Sequence, residues 1–532
     1  MLALGIGANT LIFTAVDALL LRPLPVSHPE QLVRFGIQMS PTFTYYDHPY
    51  SYFRILHDRG GVFSDVFSAW PTEMSFASGD HVRNVEGETV SGNYFSTLGL
   101  KPELGRLFTN ADEQTNGQVA VISSDFWRRQ FASRRDIMGQ TIRLRGSSFN
   151  IIGVLAPGFS GIDLENQTDV WVPMSKHSLC KVYMRMRPGV RIPQAEAEVL
   201  ALYPVMLSSL YQGRKSAEDV QEEARARPAV VTSIERGVSA MRKQFAAAVT
   251  ALLGGVSVFL VLVCANVGGL ILQRNHARRR YAAIRIALGA SRWRLTQRML
   301  AEAFLISCVG TGIGSCLAYM CGPLLLDLLP GTRPLGIVLK PDALVISFAA
   351  ALCILAAGLT SVTEIPNLVR TDPGIVMRRE SGNPRYHFGR ALGVLQIAVA
   401  LVLLTGSFVL AKSLSKLHAE DPGFIPDKLI LAKINPLDMG ASRPDLPGIF
   451  EQILQKARLL PGVRSVSLAE EAPMQGVGLK ITVLPTGSRI GTADSLNISM
   501  NVVSLNHLEN IGVRLLEGRE FEASDENEKP QP

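Results

Sequence analysis

Arginine is the residue whose spacing carries chemistry in this 532-residue chain. Residues 277–298 read ARRRYAAIRIALGASRWRLTQR, and residues 273–298 hold eight arginines with no acidic residue. The pattern is largely helical, with a break at Gly289. Two readings stand side by side. In one, the segment is an amphipathic helix lying on anionic lipid, where each basic residue near the surface contributes about 1 kcal/mol. In the other, it is a docking helix for a cytosolic partner, with Ile284, Ile286 and Leu288 offering apolar contacts while the arginines fix polarity.

Other chemistry is sparse. A P-loop needs GxxxxGK[ST], whose glycines let backbone N–H groups cradle phosphate. Residues 476–482 (GVGLKIT) have a lysine and a threonine at the wrong spacing. Any ATP-driven work therefore comes from a separate polypeptide. The nine histidines are scattered, with no HExxH and no close His/Cys cluster. Ser160 sits in PGFSGI, which is not GxSxG, and reads as a turn residue. Cys264, Cys308, Cys316, Cys321 and Cys353 fall in or beside apolar runs, leaving Cys180 alone outside them and no disulfide framework. No catalytic residue, metal ligand or cofactor is expected in the chain.

The elements that position the arginines are apolar. Only 19% of residues are charged, 47% are hydrophobic and the mean hydropathy is +0.19. These values exclude disorder and sit poorly with a soluble protein, in which about 25% of residues are charged. Residues 246–272 contain no ionisable side chain but Cys264, and residues 343–363 and 391–411 contain only Cys353 between them. Residues 299–326 have Glu302 as their single acid or base. About 20 apolar residues in a helix cross the hydrocarbon core with every backbone group satisfied internally. A fifth span covers residues 1–21, apolar but for Asn9, Thr10 and Asp17, and Arg22-Pro23 ends it. A cleaved signal peptide is the rival reading there. The segment has no basic start, carries an internal aspartate and lacks a small-x-small cleavage site, so a retained helix is favoured and a short basic leader is expected ahead of it.

Orientation follows from the arginines. The loop at 273–298, and the loop at 365–390 with five arginines against two acids, fall on the cytosolic side. The formal charge of +7 is thus concentrated in two loops rather than spread as a nucleic-acid-binding surface. With five crossings, residues 22–242 and 412–532 lie outside the cytosol. In the first of these, 118–122, 141–144 and 149–154 read as strands, the last two meeting at Gly146. Residues 124–131, 194–211 and 235–243 read as helices, the last continuing as a stalk into the second span. Asn9, Asp17, Asn266, Glu302 and Gln396 are costly in hydrocarbon and are expected to face other helices. Gly310 and Gly314 read as a close-packing pair.

The chain also repeats. Residues 93–113 (NYFSTLGLKPELGRLFTNADE) align without a gap on 506–526 (NHLENIGVRLLEGREFEASDE), bringing Asn93, Gly99, Gly105, Arg106, Phe108, Asp112 and Glu113 over their counterparts. Residues 29–33 echo 426–430. A complete second copy would call for roughly 250 further residues, so a longer polypeptide is expected.

These residues resemble the MacB/FtsX family of ABC-transporter permeases, closest to its duplicated, eight-helix members. The likeness is carried by LALGIGANTLIFTAVDALLLRPLP at 2–25, FWRRQF at 126–131, GQTIRLRGSSFNIIGVLAPGF at 139–159 and RRRYAAIRIALGAS at 278–291. It implies a polytopic α-helical membrane protein with two extracytoplasmic α/β (α+β) domains and about five transmembrane helices. The domain map it implies runs as helix 1 (1–22), a MacB-like periplasmic core domain (23–242) and an FtsX-like membrane domain (243–366). The membrane domain has helices at 246–272, 299–327 and 343–364, and a coupling helix at 274–298. A cytosolic linker (367–390), helix 5 (391–412) and an incomplete second periplasmic domain (413–532) follow. The resemblance further implies that Arg280, Arg285, Leu288, Gly289, Ala290 and Ser291 couple to a separate ABC ATP-binding subunit that carries the ATP and Mg. A bacterial inner-membrane location follows, with the lipid bilayer and a periplasmic adaptor or substrate protein as partners and no nucleic acid. One departure is Tyr281, where the family usually has an acid after the arginine run. The two expected functions are an ABC permease that exports or extracts an amphiphilic substrate or transmits force, and a membrane-anchored sensor or scaffold without transport.

Overall fold

The computed structural model describes residues 1–41, 43–78, 81–115, 117–164, 166–175, 179–211, 214–274, 291–327, 342–362, 386–426, 429–434, 436, 445–473, 479–483, 496–522 and 524–525. Helix α1 (Leu2–Val16) is followed by strands β1 (Leu32–Ser40), β2 (Phe43–Tyr45) and β3 (His48–Pro49), and by α2 (Tyr50–Arg59). Next come β4 (Phe63–Ser78), β5 (His81–Val90), α3 (Tyr94–Leu98), β6 (Pro102–Gly105), α4 (Asn110–Gln114), β7 (Val119–Ile122) and α5 (Ser124–Phe131). Strands β8 (Thr141–Leu144), β9 (Ser147–Leu155), β10 (Val170–Pro173) and β11 (Leu179–Met186) precede α6 (Ile192–Tyr211), α7 (Ala217–Ala226) and β12 (Ala229–Ser233). The long helices are α8 (Ala240–Arg274), α9 (Arg292–Asp327), α10 (Ala343–Val362) and α11 (Tyr386–Ala419). Helix α12 (Leu446–Arg458), strands β13 (Leu479–Val483) and β14 (Leu496–Met500) and helix α13 (His507–Ile511) complete the described elements.

Two compact units result. One joins Met1–Pro23, Ile162–Asn166 and Arg236–Ala419; the other joins Leu24–Gly161, Gln167–Glu235 and Glu420–Pro532. In the first, four described helices are long and apolar enough to cross a membrane, over Ala246–Val267, Thr296–Gly322, Ala343–Ser361 and Gln396–Lys416. Helix α1 is shorter: it is α-helical only to Val16, and then widens into a π-helical turn over Asp17–Leu21 that ends where Arg22 N–H donates to the Asp17 carbonyl at 2.8 Å. Leu2 and Ile6 of α1 pack with Leu260, Val263 and Cys264 of α8 and Leu352 and Ala356 of α10. None of α11's apolar window is buried, which fits a helix whose whole circumference is apolar and faces lipid or further helices.

The outer unit is built on a mixed sheet in the order β12-β1-β11-β4-β5-β10-β7-β9-β6, with β2 on β1, β3 on β11, and β8 on β4 and β9. Two of its hydrophobic cores are joined by β4. Phe35, Tyr52, Leu56, Met184, Val199 and Tyr203 belong to one, built under α2 and α6, and Phe76, Phe126, Trp127, Ile142 and Ile151 belong to the other, built under α5. The sixteen-residue β4 joins them, since its Phe63 and Val66 enter the first core and its Met74 and Phe76 the second. Val66, Met74 and Phe76 are separated by even numbers of residues and share one face of the strand, so β4 serves the two cores by its length, one after the other along that face.

The repeat is structural as well. Ser68 N–H donates to Ser91 Oγ at 3.0 Å and Ser91 N–H returns to the Ser68 carbonyl at 2.9 Å; Leu468 and Ser504 exchange the same two bonds at 2.8 and 2.9 Å. Helices α3 and α13 both end on a left-handed glycine, Gly99 at φ +73 and Gly512 at φ +78, where a Cβ would be strained. Both carry a neighbouring strap, since Ser27 N–H donates to the Leu98 carbonyl at 3.0 Å and Ile425 N–H to the Ile511 carbonyl at 2.9 Å.

One expectation is corrected. The helical stalk at 235–243 begins only at Ala240, because Val238 N–H is committed to the Ile162 carbonyl at 2.9 Å in a bridge that holds this backbone extended. Helix α11, Tyr386–Ala419, encloses the span expected at 391–412 and continues beyond it at both ends. Helix α5 covers the expected 124–131 and is capped by Ser123, whose Oγ accepts from Phe126 N–H at 3.0 Å.

Candidate functional site

Arg280, Arg285, Leu288, Gly289 and Ala290 lie outside the described residues, whereas Ser291 is described and exposed. The segment they belong to is tied at both ends to membrane helices, leaving α8 at Arg274 and entering α9 at Arg292. The first turns of α9 present Trp293, 64% exposed, with exposed Arg294, Gln297 and Arg298, while Thr296 turns inward. Positions i, i+1, i+4 and i+5 share one helical face, so an indole and two guanidinium groups lie together there. Sequence reasoning did not single out Trp293. Its signal was a lone tryptophan in an arginine run at a span's edge, where an amphipathic ring is suited to an interface.

Helix packing sets what the helices flanking this segment touch. Helix α9 meets α1 at two glycines: a Cβ on Gly314 would stand 2.6 Å from the Ala3 carbonyl oxygen, and one on Gly7 would stand 2.8 Å from the Gly314 carbonyl oxygen. Helix α8 meets α1 through Asn9, which is fully buried; its Nδ2 donates to the Val256 carbonyl at 2.7 Å and its Oδ1 accepts from Ser257 Oγ at 3.1 Å. Phe13 of α1 stacks on Phe348 of α10 with centroids 3.8 Å apart. At the far end of α1, Arg22 Nη2 donates at 3.1 Å to both Asp17 and Asp342, and Asp342 Oδ1 also accepts from Leu344 and Val345 N–H as the cap of α10. Arg236, just ahead of α8, donates to the Leu20 carbonyl at 2.9 Å. Helix α1 is therefore held by α8, α9 and α10 at once.

Asn9 thus bonds across helices as expected, Asp17 is linked to α10 through Arg22, and Gly314 is a packing residue. Between α1, α9 and α10 lies an apolar cavity of 470 Å³ whose wall includes Thr10, Thr14, Phe304, Cys308, Ser315 and Cys353. The hydroxyls of Thr10 and Thr14 donate to carbonyls one turn back, at 2.8 and 2.7 Å, so they add little polarity to the wall.

Buried polar groups in the outer unit are structural. Glu88, 4% exposed, accepts from Tyr94 Oη at 3.0 Å and Trp171 Nε1 at 2.9 Å, and Glu113 accepts from Tyr50 Oη at 2.5 Å and Gly92 N–H at 2.7 Å. Burial pushes the Cys180 thiol up to about 12 and the His48 imidazole down to about 3, so both are neutral at ordinary pH. Among the described residues no group of three His, Cys, Asp or Glu could hold a metal.

Two family descriptions match in sequence order: the MacB-like periplasmic core domain over residues 1–202, and the FtsX-like permease C-terminal domain over residues 253–372. The chain belongs to the MacB/FtsX family of permeases. As in the resemblance drawn from sequence, this MacB/FtsX permease is a polytopic membrane protein with an extracytoplasmic α/β domain, and its arginine-rich segment falls inside the FtsX-like match. The macrolide export ATP-binding/permease protein MacB 1 of Yersinia pestis bv. Antiqua (strain Antiqua) is 25% identical over 296 residues, covering 54% of this chain and 41% of its own. MacB of Shigella flexneri is 27% identical over 304 residues, covering 55% and 43%. The chain therefore spans less than half the length of either relative. The periplasmic region of MacB from Actinobacillus actinomycetemcomitans is 16% identical, covering 40% of this chain and 97% of its own with a TM-score of 0.29. The extracellular domain of the noncanonic ABC-type transporter YknZ from Gram-positive bacteria is 15% identical, covering 38% and 99%, with a TM-score of 0.28.

Proposed function

We propose that this chain is the permease subunit of an ABC transporter in a bacterial inner membrane, driven by ATP and Mg bound on a separate ATP-binding subunit. The single observation that carries the reading is the FtsX-like match enclosing an acid-free arginine segment whose two ends continue directly into α8 and α9. Dimerisation of the ATP-binding subunits moves that segment, with Arg280, Arg285, Leu288, Gly289, Ala290 and Ser291 at the contact. Helices α8 and α9 grip α1 through Asn9 and the Gly7–Gly314 crossing, so they move as a set rather than singly. The output is export or extraction of an amphiphilic substrate, or force passed to the periplasmic side, where an adaptor or substrate protein binds.

The test is direct. Replacing Arg285 with Glu and Leu288 with Asp is expected to abolish copurification of the ATP-binding subunit and its permease-stimulated hydrolysis, while the variant still inserts in membranes. Unchanged binding and turnover would overturn the docking assignment and favour a sensor or scaffold.

A further inference from the structure

Two thiols meet in the middle of the membrane unit. Cys308 Sγ on α9 and Cys353 Sγ on α10 are 3.6 Å apart. The apolar window of α9 runs Thr296–Gly322 and that of α10 runs Ala343–Ser361. Val309 and Leu352 stand at the centres of those windows, so each cysteine is one residue from the middle of its own span. Both also line the apolar cavity against α1.

We propose that Cys308 and Cys353 are a disulfide-forming pair, a redox modification site at the bilayer midplane that pins α9 to α10. A disulfide has sulfurs about 2.05 Å apart, so the thiols need to close by roughly 1.5 Å, within reach of small side-chain rotations on two helices already in contact. In the reaction one S–S bond forms, two S–H bonds break, and two electrons and two protons leave. At this depth the oxidant that takes them is itself dissolved in hydrocarbon: a lipid-soluble quinone, reduced to its hydroquinone. Charged aqueous thiols and disulfides do not enter the hydrocarbon core, so the pair is isolated from the water-soluble thiol pool.

The consequence is mechanical. Helix α9 carries the arginine-rich segment at one end, and α10 is fastened to α1 through Asp342 and Arg22 at the other. A covalent tie between them fixes the relative rotation of α9 and α10 along the wall of the cavity. This inference needs no ATP-binding partner and stands or falls independently of the docking assignment.

The experiment uses the full chain in lipid nanodiscs. Protein is incubated with tetramethyl-benzoquinone, whose ring has no open position for thiol addition, then denatured in acid, alkylated with a maleimide and weighed intact. Two of the six thiols are expected to escape alkylation, and reduction after denaturation is expected to restore them. In Cys308→Ser or Cys353→Ser every remaining thiol is expected to react. Water-soluble glutathione disulfide is expected to leave all six free in intact bilayers. Six alkylated thiols after quinone treatment would overturn the proposal. So would loss of the same number of thiols in Cys308→Ser, or oxidation by glutathione disulfide as fast as by the quinone.

Discussion

Arg106 holds Asp112 through two parallel hydrogen bonds, Nη1 to Oδ2 at 2.7 Å and Nη2 to Oδ1 at 2.8 Å. Arg519 holds Asp525 through the same two atoms at the same two distances. In each copy the aspartate also accepts a backbone N–H, from Thr109 at 2.9 Å and from Glu522 at 2.8 Å. The repeated Gly-Arg pair and the aspartate six residues on are therefore one device: a planar guanidinium fork closing the loop that follows the short helix.

Replacing Arg106 with Ala is expected to weaken this loop by about 1 kcal/mol, the low end for a bidentate pair because Arg106 is 55% exposed. Faster amide exchange at residues 94–114 of the full chain would report it. The Arg106 fork holds the Asp112 carboxyl at about 2, below its ordinary 3.8. The stabilisation is therefore complete above pH 3.8 and disappears as pH falls through 2. Exchange protection in the loop is expected to follow that curve, and R106A to flatten it.

His48 makes the outer unit acid-sensitive at higher pH. It is 1% exposed, with its ring 4.3 Å from that of Phe35, and its Nδ1 is buried without a hydrogen-bond partner. The folded state rejects a proton down to pH of about 3, whereas an unfolded histidine accepts one at 6.5. Stability is therefore full above pH 6.5 and falls toward pH 3, by up to about 1.4 kcal/mol per pH unit. Urea midpoints read by tryptophan fluorescence are expected to drop between pH 7 and 5, and less so in His48→Phe.

Gly314→Leu is expected to destabilise the helix bundle by about 1–3 kcal/mol or more, because the new side chain meets backbone rather than a movable side chain. Gly254→Leu is the control, since nothing lies within 4 Å of its added Cβ. Melting temperatures of the two variants in detergent are expected to separate clearly; equal values would show that the α1–α9 crossing is loose.

Arg22→Ala leaves Asp17, whose side chain is 4% exposed, as an uncompensated carboxylate. A loss of about 2 kcal/mol is expected, less than for a fully buried pair because Arg22 itself is 35% exposed. Adding Asp17→Asn is expected to recover part of the loss in melting temperature. A double variant no better than the single would remove the charge from the explanation.

Much of the fold was legible in one dimension. The span at 343–363 coincides with α10 to within a residue, and the strand at 141–144 with β8, because run length and two-residue alternation are local properties. The stalk at 235–239 was not legible, because its helical pattern is overruled by a bridge to Asp163 far away in the chain. The division of core along β4 was hidden for a similar reason: nothing in β4 marks where its side chains pass from one core to the other. At the candidate site, the arginine segment stood out by composition alone, whereas Trp293 gained meaning only when its exposure beside Arg294 and Arg298 was seen.

Sequence by itself determined the apolar spans, the repeat, the placement of arginine between spans and the family, since each is written in residue identity and spacing. Tertiary structure alone decided the pairings. Asn9 bonds across 247 residues of chain, Arg22 across 320, and Cys308 finds Cys353 across 45. Each contact depends on helix crossing and rotation, which are set by the packing of whole faces rather than by any local pattern.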